Sequence, residues 1–193
     1  MDHKFLYNRI KYFVLSPGNA WKIVHNENRP IKDIRNSFFF PLIIAVTISA
    51  TLGTIFFTHI GLSYAYSLLV GIKYFILLYV LINLSSYALC KITKRLDLGK
   101  DFVQSFKLIT YSLAPFMICQ IISRLFESLL FVNILAFYGL YIFWVGVEIM
   151  INPPENKKMP ILISTTLAVI VIFFATNWIL STILDGIYFW FFG

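Results

Sequence analysis

PILISTTLAVIVIFFATNWILSTIL, residues 160–184, is an apolar stretch without a single charged side chain. As an α-helix that rises about 1.5 Å per residue, it is long enough to cross the roughly 30 Å hydrocarbon core of a bilayer. The polar turn NPPENKK precedes it at 152–158, and the aromatic tail IYFWFFG follows Asp185-Gly186 at 187–193. This stretch therefore predicts a transmembrane helix with an aromatic end suited to the membrane interface.

Four further apolar stretches precede this one, at 37–58, 67–91, 106–123 and 130–150. Hydrophobic residues make up 59% of the chain and charged residues only 13%, which fits a lipid-facing surface better than a water-facing one. We therefore predict an all-α fold, that of a polytopic integral membrane protein with five transmembrane helices. Residues 37–193 would form the transmembrane domain, and residues 1–36 a separate amphipathic N-terminal region.

The boundary between the third and fourth stretches is the least marked one in the chain. No clear polar loop separates 106–123 from 130–150, so a tight hairpin and a long span with a re-entrant piece both stay open. We favour the hairpin, because the polar residues Arg124, Glu127 and Asn133 cluster at its midpoint.

The N-terminal region begins with an apolar stripe. Its members recur at three- and four-residue intervals, and they are Phe5, Leu6, Ile10, Phe13 and Val14. This spacing predicts an amphipathic helix that lies in the membrane interface.

A second short helix is predicted over 17–26. Ser16 suits its N-cap, and Pro17 suits the first helical position, where the missing N–H costs nothing. Trp21 suits the headgroup level, so Ser16, Pro17 and Trp21 are candidate interfacial anchors.

The basic residues are distributed unevenly. Of 16 Lys and Arg residues, all but Lys73 and Arg124 lie in the N-terminal region, around the connection after the second span, or in the turn at 152–158. The positive-inside rule then predicts a cytoplasmic N-terminus and an outside C-terminus, in what we expect to be the bacterial cytoplasmic membrane. The net charge of +7 does not indicate nucleic-acid binding, because no soluble segment interleaves basic with aromatic residues.

Several polar or helix-bending residues fall inside the predicted spans. The candidates are Lys73, Asn83, Pro115, Arg124, Glu127 and Glu148. Charges in a span are expensive and are functional candidates by default, although snorkelling or mutual pairing near an interface would also satisfy them. The sharper alternative is a polar path in which Lys73 meets Glu127 across two helices.

No catalytic or metal-binding motif is present in the sequence. His3, His25 and His59 are scattered, and Cys90 and Cys119 lack the spacing of metal ligands. We therefore predict no enzymatic activity, no cofactor and no metal site.

Three segments resemble the Yip1 family in its prokaryotic branch. They are LSPGNAW at 15–21, KLITYSLAP at 107–115 and YIFWVGVE at 141–148. The resemblance covers nearly the whole chain and implies five spans and a cytoplasmic N-terminal region. Eukaryotic relatives are linked to Rab GTPases and vesicle traffic, but this chain has no D-L-Y-G-P run like theirs, so the resemblance carries over no Rab-type partner.

Two functional hypotheses follow. The first is a non-enzymatic scaffold that organises the membrane or binds a partner, suggested by the amphipathic N-terminus and by small residues at Ala45, Ser49 and Gly53. The second is a small transporter or channel subunit that uses the intramembrane charges. Membrane lipids are expected partners, and a membrane or cytoplasmic protein partner and a homo-oligomer both stay open.

Overall fold

The computed structural model of the protein describes residues 3–27, 29–57, 64–99 and 101–192, without the side chains of His3, Glu127, Phe191 and Phe192. Regular structure within these ranges is entirely helical. Seven helices follow one another there: α1 (His3–Leu15), α2 (Pro17–Asn26), α3 (Ile31–Phe57), α4 (Tyr64–Arg95), α5 (Phe102–Leu125), α6 (Ser128–Ile151) and α7 (Glu155–Phe192). Helices α3 to α7 are each long and apolar enough to cross a membrane, which confirms the predicted all-α membrane fold with five spans.

Helix α4 organises the bundle. It packs against α3, against α7 and against the first half of α5, while α3 packs on the second half of α5. Helix α7 contacts α4 extensively but α6 only weakly, and only 11% of its most apolar part is buried inside the protein. The last span therefore presents most of its surface outward, as a lipid-facing helix does.

The small residues of α3 are used inside this bundle. A Cβ atom built on Gly53 would lie 1.7 Å from the backbone oxygen of Arg124 in α5, so only glycine allows this approach. A Cβ atom built on Gly71 of α4 would lie 2.1 Å from the Thr51 hydroxyl oxygen in α3. Ser49 and Gly53 are buried, so this face serves packing within the chain and is not available to a partner helix.

Helix α3 begins at Ile31, earlier than the apolar pattern predicts, and it contains Pro41 well inside its length. A proline ring clashes with the carbonyl group four residues back and has no N–H to donate. The turn over Arg35–Phe39 is a π-turn, in which the N–H of Phe40 donates to the carbonyl of Arg35. This wider turn relieves the clash, so the helix continues.

Pro115 interrupts α5, as the sequence suggests. The helix breaks at Leu113, where ψ is close to zero, and Pro115 lies in the first turn of the second half. Proline is tolerated at that position because its N–H would have no helical partner.

Helices α5 and α6 form the favoured hairpin. Phe126 and Glu127 connect Leu125 to Ser128. The first turns of α6, up to Phe137, are narrow 3₁₀ turns with a kink at Leu129, where the backbone angles are not helical. The alternative, one long span with a re-entrant piece, is therefore wrong.

The ends of α7 differ from the predicted ones. The polar turn is shorter than 152–158, because Asn152 ends α6 in a left-handed conformation and α7 begins at Glu155. At the other end the helix continues through Asp185-Gly186 to Phe192, since helical hydrogen bonding needs no apolar side chain. The connection between the predicted spans 37–58 and 67–91 falls largely on 58–63, outside the described residues.

Candidate functional site

Helices α1 and α2 form a unit that is fixed to the bundle. The indole of Trp21 is fully buried, and its Nε1 donates a hydrogen bond to the backbone oxygen of Ile142 in α6 at 2.9 Å. Gly146 makes room for this ring, because a Cβ there would lie 2.6 Å from the indole. Trp21 therefore anchors the N-terminal unit to the protein, whereas the sequence suggested that it contacts lipid headgroups.

The other predicted anchors lie at the junction of α1 and α2. Ser16 occupies the N-cap position of α2 and Pro17 the first helical position, as predicted, although the Ser16 side chain makes no capping hydrogen bond. Helix α2 itself has the predicted bounds.

The apolar stripe of α1 also faces the protein. Phe13 is buried, and its ring stacks on Tyr111 of α5 with centroids 4.8 Å apart. Phe5, Leu6 and Ile10 pack against the same core, whereas Val14 stays exposed. An apolar stripe gains as much from burial against protein as from lipid, and this stripe is buried against the bundle. The predicted interfacial position of α1 stays a prediction.

A charged cluster holds the N-terminal unit in place. The Glu27 carboxylate after α2 pairs with Arg9 of α1 through one oxygen and with Arg29 through the other. Lys107 of α5 donates from Nζ to the backbone oxygen of Glu27 at 2.9 Å. Arg9 and Lys107 are buried, and Arg29 is partly exposed.

Sequence reasoning did not select these four residues. Their partners are up to 80 residues apart in the chain, so no local spacing indicates them. The one available signal was Lys107, which stands just inside the apolar stretch of 106–123.

The basic residues gather at one end of the bundle. Besides Lys107, Lys157 at the start of α7 donates to the backbone oxygen of Leu96 after α4 at 2.6 Å. The N-terminal unit, the α4–α5 connection and the α6–α7 connection therefore meet, and we call this the basic end. Glu148 also lies here, paired with Lys158 at 3.3 Å, which satisfies this candidate charge locally.

Helix α1 turns a second face away from the bundle. Six exposed side chains recur at the three- and four-residue intervals of one helical face, and they are Lys4, Tyr7, Asn8, Lys11, Tyr12 and Leu15. Tyr7 is 65% exposed and Tyr12 is 53% exposed. We call this set the outer face of α1.

Lys73 and Arg124 meet at the opposite end of the bundle. Lys73 Nζ donates to Ser181 Oγ of α7 at 2.7 Å, and Arg124 Nε donates to Gln120 Oε1 at 3.2 Å. Both cations also lie over the ring of Tyr74. The predicted pairing of Lys73 or Arg124 with Glu127 involves a side chain outside the described residues and stays a prediction.

Asn83 belongs to a separate group. Its Oδ1 accepts a hydrogen bond from Arg35 Nη2 at 2.9 Å, and the Arg35 guanidinium lies over the ring of Phe106. Arg35 is in the first turns of α3, so Asn83 lies level with the start of that helix instead of midway along the bundle. Asn83 and Lys73 are therefore in different clusters, which does not favour a common polar path.

A cavity of about 340 Å³ lies between α5, α6 and α7. It follows from the weak contact between α6 and α7, and apolar side chains such as Phe116, Leu140 and Phe173 make up most of its walls. Gln120 and Asn133, which are hydrogen-bonded to each other at 3.3 Å, also line it. Apolar walls suit a hydrocarbon occupant better than a charged solute.

The described part of the chain offers no group of three or more His, Cys, Asp or Glu side chains that could hold a metal ion. Cys90 and Cys119 are buried thiols outside any disulfide.

The five spans and the docked N-terminal unit define the class of the protein: a polytopic helical integral membrane protein. The Yip1 domain model matches residues 11–191, which is nearly the whole chain. The chain therefore belongs to the Yip1 family, as the resemblance of its motifs suggested. No curated protein and no solved structure gives a significant match to it.

Proposed function

We propose that this protein is a non-enzymatic membrane scaffold that binds a protein partner through the outer face of α1. The observation that carries the proposal is the division of α1 into two faces. One face, with Phe13 at its centre, is buried against the bundle, and the other exposes two tyrosines and two lysines.

The composition of the outer face suits protein recognition. Tyrosine offers a large, rigid contact area with few rotatable bonds, and it is enriched at protein interfaces. Lys4 and Lys11 add positive charge on the same face. A partner with an acidic surface would complement them and would be attracted over long range.

The attachment of α1 to the bundle supports this proposal. The Arg9–Glu27 ion pair and the Trp21–Ile142 hydrogen bond hold the N-terminal unit in one position. A surface that is fixed before binding loses little conformational entropy on binding. By the positive-inside rule the basic end faces the cytoplasm, so we expect a cytoplasmic partner or the cytoplasmic part of a membrane protein.

Deleting residues 1–30 would test this proposal poorly. Trp21, Phe13 and Val24 are buried, so their loss would uncover the core and alter every surface at the basic end. Substitution of exposed residues is sharper. The double variant Tyr7→Ser, Lys11→Gln changes the outer face and leaves the docked face intact.

Photo-crosslinking in native membranes is the direct experiment. A photoreactive amino acid is placed at Tyr7 or at Lys11, and a matched control at Lys22, which is exposed on α2. We expect the same discrete protein to be captured from Tyr7 and Lys11 and not from Lys22. Its capture should fall when Tyr7→Ser is introduced beside the probe at Lys11.

Two results would contradict the proposal. Lipid adducts alone at Tyr7 and Lys11 would indicate a role in organising the membrane. Identical adducts at all three positions would show that the outer face of α1 has no selectivity.

A further inference from the structure

Positive charge exceeds negative charge in the cluster beneath α1. Arg9, Arg29 and Lys107 contribute three cations. The carboxylate of Glu27 contacts the two arginines, and Lys107 donates to the backbone oxygen of the same residue. Both oxygens of that carboxylate are already paired with guanidinium groups. Two positive charges of the cluster are therefore left without a carboxylate in it, in a partly buried place where unpaired charge is costly.

The guanidinium groups are held in position before any ligand arrives. Arg9 and Arg29 both lie over the ring of Phe5, at 4.9 Å and 4.1 Å from its centroid. The ring and the Glu27 carboxylate together fix the two side chains. A site whose donors are already oriented pays little to organise itself on binding.

The cluster also has an opening. The side chain of Arg29 is 36% exposed and that of Glu27 is 24% exposed, whereas that of Arg9 is only 8% exposed. Arg29 thus lies at the opening of the cluster, and the buried Arg9 and Lys107 add positive potential there. Arg29 lies two residues before the start of α3, and Lys107 lies close to the start of α5, so the opening is near the point where two spans begin.

We propose that this cluster binds the phosphate group of an anionic lipid headgroup. Phosphate oxygens accept paired hydrogen bonds from the planar guanidinium fork, and Arg29 contacts Glu27 through its Nε. Basic pockets beside transmembrane helices bind lipid phosphates in this way. The proposal is independent of the partner on the outer face of α1, because Tyr7 and Lys11 take no part in the cluster.

Native mass spectrometry of the full-length protein in detergent, titrated with phosphatidylglycerol, tests the proposal. The variant is Arg29→Gln, and the matched control is Arg95→Gln, which removes one charge from an exposed position at the same end. We expect Arg29→Gln to weaken the first lipid bound about tenfold and Arg95→Gln to leave it nearly unchanged. Arg29→Lys, which keeps the charge but loses the fork, should fall between them.

A parallel titration with inorganic phosphate distinguishes the source of the ligand. Displacement of the bound lipid by millimolar phosphate would assign the site to the phosphate ion itself, and resistance to displacement would assign it to the lipid headgroup. Equal losses in Arg29→Gln and Arg95→Gln would overturn the proposal, because only the general surface charge would then matter. No loss in either variant would also overturn it, because Arg29 would then take no part in lipid binding. Thermal unfolding of each variant shows whether the fold is retained.

Discussion

Replacing Gly53 with alanine should separate α3 from α5. The added Cβ would lie 1.7 Å from the backbone oxygen of Arg124, whereas real Cβ contacts essentially never fall below 3.0 Å. The obstacle is backbone and cannot rotate away, so the two helices must move apart by over an ångström. Overpacking of this kind costs about 3 kcal/mol at the upper end of its usual range. Alanine recovers about 1 kcal/mol of helix propensity, which leaves a net loss of about 2 kcal/mol.

Gly186→Ala provides the matched control. Gly186 also lies within a helix, and a Cβ there meets nothing within 4 Å, so only the gain in helix propensity should remain. Equilibrium unfolding in mixed micelles of mild detergent and dodecyl sulfate would compare both variants with the wild type. We expect Gly53→Ala to unfold at clearly lower dodecyl sulfate and Gly186→Ala at the same level or slightly higher. Equal behaviour of the two variants would refute the close contact between α3 and α5.

Three further predictions concern the N-terminal unit and the orientation. Phe13→Ala should lower the free energy of unfolding by about 3 kcal/mol or more because its ring is buried, whereas Tyr7→Ala, at an exposed position, should lower it by less than about 0.5 kcal/mol. Similar losses in the two variants would show that the described position of α1 is wrong. Trp21→Phe should lower the free energy of unfolding by about 1 kcal/mol, because the hydrogen bond to Ile142 is lost. Thermal unfolding measures this loss, and Trp178→Phe, at a side chain that is 73% exposed, is the control. A topology reporter fused at the C-terminus should be active only outside the cytoplasm, and cytoplasmic activity would contradict the proposed orientation.

The spans could be predicted from the sequence because lipid imposes a single requirement on them. A backbone in hydrocarbon must satisfy its own hydrogen bonds, so a long apolar stretch such as 160–184 has one regular solution. The ends of the helices follow a different rule. Helix α7 continues past Asp185-Gly186 because hydrogen bonding within a helix does not stop where hydropathy falls.

The destination of the N-terminal helices could not be predicted. An apolar stripe such as Phe5 and Phe13 is equally suited to lipid and to protein, so periodicity gives the face but not what covers it. Trp21 finds its hydrogen-bond acceptor 121 residues away, and Arg9 finds Glu27 only when α1 and α2 have folded together. Such pairings depend on the tertiary arrangement and leave no trace in local spacing.

The docking of Trp21 on Ile142 has a consequence for the order of assembly. The N-terminal unit is synthesised well before the residues that bury it, which are Tyr111, Ile142 and Gly146. Contacts this distant in sequence are slow to form, because a long loop must close before they contribute any stability. Phe13 and Trp21 therefore stay uncovered until α6 has been synthesised, so the docking of α1 and α2 is a late step of assembly.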